Sequence, residues 1–274
     1  MSSKRVFETC SDITLIDDLC QNFENLSTVQ MAFIDDLMKV YDQWLHIDGD
    51  RGDLVQCRQR LTPLLKTGPP EFFSWVNRLG SENLHSDMLK ALLDGRTSPV
   101  LGPLLLRHFL DRVIQRCSDL NACHLSSIKR LAQTLANDNA PSITVEREVS
   151  FHMDDGSTKD SRRIDIVIQT TNTVIAIENK VYSSESTDQT SDSQWYLEQL
   201  TSQSKSLDSI GILLSPPGHG PKCPHWARAS YKDLWASLIL SLNEPQSAHE
   251  SDEFLFGLSY LKTLETLMPW MSPQ

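Results

Sequence analysis

The sequence predicts an α/β protein in which a mixed β-sheet is flanked by helices. Three observations carry this. Helical stripes run through the first part of the chain, period-two β-branched runs follow between Ile143 and Lys180, and an apolar run at Ser209 to Ser215 comes only after a further helical segment. Successive short runs joined by brief turns make an antiparallel meander. A strand reached through a crossover helix joins its neighbour in parallel, so the sheet is mixed.

Taken in order, residues 1–70 read as an N-terminal helical extension and residues 71–274 as the main domain. A first helix falls near Ile13 to Phe23. Ser27 caps a second, with Val29, Phe33, Ile34, Leu37, Val40, Tyr41, Trp44 and Leu45 on one stripe, and a third follows Asp53 with Leu54, Cys57, Leu61 and Leu64. Pro70 opens a short helix that Gly80 closes. Aromatic residues at helical spacing are core far more often than site, and these stripes show no chemistry. Ser81 caps a helix from Glu82 to Asp94, which buries Leu84, Met88, Ala91 and Leu92 and carries Glu82, His85 and Ser86 on another side. An acid at a helix N-terminus is favourable without any function. A long helix runs from Leu101 to about Cys117, and the polar stretch 118–141 reads as a helix with loops.

From Ile143 to Phe151 a strand sets Ile143, Val145, Val149 and Phe151 against Glu146 and Glu148. Two further strands span Arg163 to Lys180. A Ser/Thr-rich tract, 183–193, leads into a helix opening at Gln194. The strand Ser209 to Ser215 stops at Pro216-Pro217-Gly218, and two helices, Lys232 to Leu242 and Glu253 to Leu267, finish the chain.

Composition bounds the function. An apolar fraction of 39% and a charged fraction of 22% are those of an ordinary globular protein. A net charge of −11 argues against a general electrostatic coat for nucleic acid, although Lys159, Arg162 and Arg163 could form a local basic rim. The acidic residues close to Met1 leave no signal-peptide core, and no run approaches the roughly 18 apolar residues of a membrane span. Six scattered cysteines without a C-x-x-C fit free thiols in a reducing, cytoplasmic setting. His219, Cys223 and His225 cluster loosely in a Pro/Gly loop. With no fourth ligand evident, a loop is preferred to a zinc site.

The chemistry concentrates in the hairpin. Ile164 to Ile168 and Val174 to Ile177 flank the polar break Thr170-Thr171-Asn172. With Thr171-Asn172 as the turn, Asp165 sits directly opposite Glu178 and Arg163 opposite Lys180, while the isoleucines at 164, 166, 168, 175 and 177 form a core face. Facing carboxylates repel by roughly 0.2–1 kcal/mol even when solvated, and a cation relieves them. Cross-strand Cβ atoms lie roughly 4.5–5.5 Å apart, close enough for both carboxylates to reach one Mg²⁺ at about 2.0–2.1 Å. Lys180 points the same way and can reach a group bound to that ion. The alternative is a solvated sheet face on which Lys180 neutralises Glu178.

Together these residues resemble the PD-(D/E)XK nuclease superfamily, specifically its bacterial branch of uncharacterised nuclease-like proteins. The motifs are Glu82-Asn-Leu-His85-Ser86 with Leu92-Leu93-Asp94, then Arg163-Ile164-Asp165, then Glu178-Asn179-Lys180, then a helix bearing Gln194, with Ser230-Tyr231 resembling a segment after the fourth strand. Ile164 stands where the family name has proline, Arg162 stands where relatives often carry glycine, and Gln189 is the alternative to Gln194.

The resemblance implies a restriction-endonuclease-like fold. It also implies that Asp165, Glu178 and the Asn179 main-chain carbonyl bind Mg²⁺ (or Mn²⁺), with Glu82 helping to hold the metal or orient a water. Lys180 would orient a water or offset charge at phosphorus, and Gln194 would position the scissile phosphate or Lys180. The implied activity is metal-dependent hydrolysis of nucleic-acid phosphodiesters, DNA rather than RNA. The rival is a catalytically inactive nuclease-fold binding module in a defence, repair or mobile-element system. The N-terminal helices could bind a protein partner, and monomer and homodimer are both compatible with the sequence.

Overall fold

The computed structural model describes residues 51–67, 80–117, 122–136, 142–152, 161–182, 189–203, 207–216, 219–244 and 251–267. The helices expected before residue 50 and between Pro70 and Gly80 lie outside these residues. The chain divides into two compact units, 1–52 and 53–274.

A five-stranded sheet organises the second unit, in the order β1 (Thr144–His152), β2 (Ser161–Gln169), β3 (Thr173–Asn179), β4 (Asp208–Ser215) and β5 (Ala227–Ser230). The first three strands meander antiparallel, and β3–β4 and β4–β5 are parallel. The mixed sheet is as the sequence predicts, with β5 as an addition. Ala-Arg-Ala-Ser is too short and too small in side-chain bulk to announce itself as a strand.

Seven helices are described: α1 (Arg51–Thr67), α2 (Glu82–Leu93), α3 (Leu101–Arg116), α4 (Ala122–Leu135), α5 (Gln189–Gln203), α6 (Tyr231–Asn243) and α7 (Asp252–Leu267). Ser81 caps α2 and accepts from Leu84 N–H at 3.4 Å. Ser230 and Asp233 form a reciprocal capping box that sets the start of α6. Among the described residues, no helix is long and apolar enough to cross a membrane. The helix α1, grouped above with the N-terminal extension, is tied to the C-terminal helices. Arg58 is buried and pairs with Glu265 of α7, which also accepts from Trp235 Nε1 at 3.3 Å.

Every residue of β3 is buried, as a central strand covered on both faces requires. Helix α5 covers one face through an apolar cluster that includes Phe151, Val167, Val174, Ala176, Leu197 and Trp226. Val167 and Ala176 share the face of the acidic pair, and α5 packs directly over them. Trp226 lies flat on Gly211 of β4, where an added Cβ would come within 2.4 Å of the indole ring. Ala176 pairs with Gly211, so two small neighbours make the floor on which the indole rests. Gly211→Ala is expected to destabilise the protein by about 1–3 kcal/mol through overpacking, read as a lower urea midpoint at unchanged slope.

Candidate active site

The strands β2 and β3 meet in the register the hairpin predicts. Ile166 pairs with Ile177, Val167 with Ala176, Ile168 with Ile175 and Gln169 with Val174. The Thr171-Asn172 turn holds without the usual Asn-Gly because a hydroxyl supports it. Thr170 N–H donates to Thr173 O at 2.9 Å, and Thr173 N–H donates back to Thr170 Oγ1 at 3.1 Å. One step further along this ladder, the carboxyls of Asp165 and Glu178 come within hydrogen-bonding reach of each other.

Glu178 is fully buried. It accepts from Ser193 Oγ at 2.7 Å and from Gln189 Nε2, both in the first turns of α5. Burial first, and then the neighbouring Asp165 charge, push its carboxyl well above the ordinary range, against the opposing effects of Ser193 and Lys180. Asp165 is only partly buried, and its Oδ2 accepts from Asn179 N–H at 2.9 Å. Lys180 Nζ stands 3.7 Å from Asp165 Oδ2 and 3.7 Å from Glu82 Oε2. Glu82 opens α2 and also accepts from Val181 N–H at 3.3 Å. The N-terminus of α2 thus places a carboxylate against the end of β3.

Strand alternation separates the next residue from this pocket. Glu178 points toward α5, so Asn179 points to the opposite face. There its Nδ2 donates to Ser86 Oγ at 2.9 Å and to Glu82 O at 3.1 Å, while its Oδ1 accepts from the Tyr231 hydroxyl. Its main chain faces β2. Lys180 N–H donates to Leu214 O of β4 at 2.8 Å, so the carbonyl of that planar trans peptide, Asn179 O, points the other way, toward Asp165. His85 turns away from the pocket, with Nδ1 3.0 Å from the Tyr260 hydroxyl of α7.

A cleft of about 510 Å³ opens over these groups, lined by Glu82, Asn83, Ser150, Arg163, Asp165, Lys180 and Gln189. The structure therefore brings Glu82, Asp165, Glu178 and Lys180 together, but not Gln194. Its Oε1 accepts from Trp226 Nε1 at 3.1 Å and its Nε2 donates to Glu198 at 3.1 Å. Gln189 occupies the place expected of it, because α5 begins five residues earlier than the sequence predicts. Helix propensity hid that start. Thr190 and Ser193 weaken a helix read in isolation, yet both are buried here and their hydroxyls hold Cys223 N–H and Glu178. Ser193 is a further residue that sequence reasoning missed, while Ser86 and Tyr231 stood in the motifs without a contact assigned to them.

Of the expected basic rim, Lys159 lies outside the described residues, and the two arginines are paired. Arg162 lies 3.3 Å from Asp192, and Arg163 lies 3.3 Å from Glu148, the one described non-glycine residue with positive φ (53°). In the Pro/Gly loop, Cys223 is buried in the apolar cluster under α5, and the His225 and His124 rings lie tilted at 31° with centroids 5.5 Å apart.

A carboxylate pair across neighbouring strands, followed two residues on by a lysine that reaches both the pair and a helix-borne glutamate, is a specific arrangement. The family model for the PD-(D/E)XK nuclease superfamily matches residues 70–262. The chain belongs to this superfamily. The matched span contains Ile164-Asp165 and Glu178-Asn179-Lys180. No curated protein and no solved structure matches the chain.

The donor set suits a hard divalent cation. Asp165 lines the polar cleft with the buried Glu178 beside it, and one cation would relieve the repulsion between the two carboxyls. Among the described residues, no three His, Cys, Asp or Glu side chains converge on one point. The set therefore fits an ion that keeps solvent and substrate oxygens, as Mg²⁺ does, and not an all-protein cage. Because Glu178 binds its proton more tightly folded than unfolded, its contribution to stability is full below the unfolded value near 4.5 and is lost as pH rises through the elevated folded value. In EDTA, Glu178→Gln is expected to melt higher than wild type at about pH 8, with the difference vanishing toward pH 4.5 in melting curves collected across that range.

Proposed function

We propose that this superfamily member is a metal-dependent nuclease hydrolysing nucleic-acid phosphodiester bonds, with DNA the preferred substrate over RNA. The observation that carries the reading is Asp165 beside Glu178, one position beyond the Ile166–Ile177 pair, with Lys180 at the same cleft. The preference for DNA rests on family resemblance, and a cytoplasmic setting is supported by six scattered cysteines without a C-x-x-C.

Asp165, Glu178 and the Asn179 carbonyl hold Mg²⁺ or Mn²⁺ in this reading. The bound cation supplies positive charge to the phosphodiester oxygens and lowers the pKa of a water. Lys180, held between Asp165 and Glu82, orients the attacking water and offsets negative charge as it grows at phosphorus. Glu82 keeps the ammonium aimed into the cleft and ties the chain at Val181. Gln189 and Ser193 hold Glu178 from the α5 side, fixing which oxygen faces Asp165. The protein partner suggested for the N-terminal helices, and a homodimer, stay as proposals beside this one.

Purified protein should cleave linear or circular DNA with Mg²⁺ or Mn²⁺ and lose that activity in EDTA. Asp165→Ala and Lys180→Ala are each expected to cut the rate by at least about 10²-fold while far-UV circular dichroism stays unchanged. Wild-type cleavage by either variant, or activity indifferent to EDTA, would remove the assignment. The two glutamines should separate. Gln189→Ala is expected to lower kcat, whereas Gln194→Ala should lower the melting temperature by exposing the Trp226 contact and leave kcat as it was.

A further inference from the structure

Asn179 is polar, completely buried, and turns its side chain away from the cleft. A buried amide is costly unless its hydrogen-bonding groups are paired. Here the pairing is specific and draws on two further elements. Both amide hydrogens are used, one by Ser86 Oγ and one by Glu82 O at the start of α2, and Oδ1 takes the hydroxyl of Tyr231 at the start of α6. Tyr231 itself has no freedom to turn. Its ring is buried and packs edge-on to His85 with centroids 5.5 Å apart, and the capping box at Ser230 and Asp233 fixes the main chain just before it.

The main chain of the same residue serves the cleft. Its N–H holds Asp165 Oδ2, and its carbonyl points toward Asp165. A rotation of Asn179 would move both together. We propose that Tyr231 is a positioning residue: by holding Asn179 Oδ1 from behind the sheet, it fixes the Asn179 carbonyl and the Asp165 carboxylate in the directions needed to receive a divalent cation. This rests on the metal-dependent reading above. It extends that reading to a helix on the far side of the sheet that never touches the cleft.

The test is Mn²⁺ titration of the full chain by calorimetry, with melting temperature measured in parallel. Tyr231→Phe keeps the ring and removes the hydroxyl, and Mn²⁺ affinity is expected to fall roughly 10–100-fold, the range for losing a group that orients a metal ligand. Tyr260→Phe is the control. Its hydroxyl is equally buried but faces His85, so it should lower the melting temperature and leave Mn²⁺ affinity unchanged. Ser86→Ala loosens the same amide from α2 and should weaken Mn²⁺ binding as Tyr231→Phe does, which keeps the test available if that variant does not fold. Wild-type affinity in the folded Tyr231→Phe protein, or an equal loss in Tyr260→Phe, would overturn the positioning role alone. Absence of Mn²⁺ binding by the wild-type chain would overturn the metal reading and this role with it.

Discussion

The structure depends on an unfavourable contact held in place: Glu178, fully buried, set beside Asp165. Two carboxyls in this position repel if both ionise, and burial adds to the cost. The fold tolerates the pair because each member has a fixed partner. Ser193 and Gln189 reach Glu178 from α5, while Asn179 N–H holds Asp165. What remains unbalanced is electrostatic. A cation would relieve it. A site of this kind stores its preference for positive charge in the fold itself.

Alternation along β3 lets one short segment do two unlike jobs. Glu178 faces α5 and the cleft, and Asn179 faces α2 and α6. Lys180 follows at the strand end and reaches into the cleft again. The acidic pair is thus fixed by one helical layer and the main chain between the two key side chains by the other. This explains why a residue with no side-chain access to the cleft is polar, buried and fully paired. An apolar side chain at 179 would fill the space, but nothing would then tie β3 to both Glu82 and Tyr231.

The hairpin was legible because its signal is local. Two β-branched runs of similar length around a polar break leave few possible registers, and only one puts Asp165 and Glu178 abreast. The cap at Ser81 and the mixed topology were legible for the same reason. What escaped was set by tertiary contacts. The start of α5 lies in a Ser/Thr tract whose hydroxyls favour turns in isolation and gain their value only by bonding Glu178 and Cys223 N–H across space. That five-residue error moved the glutamine from 189 to 194. Gln194 turned out to satisfy an indole N–H, a need invisible until Trp226 is seen lying on Gly211. Likewise β5 is a strand because it extends β4, not because its four residues prefer to be one. The motif fixed the chemistry of the site, but the contacts around it had to come from packing.

Charge brings these strands together. The protein carries a net −11, and among the described residues Arg162 and Arg163 are each engaged by a carboxylate, Asp192 and Glu148. Within the cleft, Glu82, Asp165 and Glu178 stand against the single ammonium of Lys180. With all four groups ionised, two negative charges are left over, which is the charge one divalent cation carries. A phosphodiester approaching that cleft without such an ion would meet repulsion at the point where it must come closest, whereas one approaching with it would meet a neutral cluster with an ammonium at its edge. On that view the proposed cation is required for binding substrate as well as for chemistry.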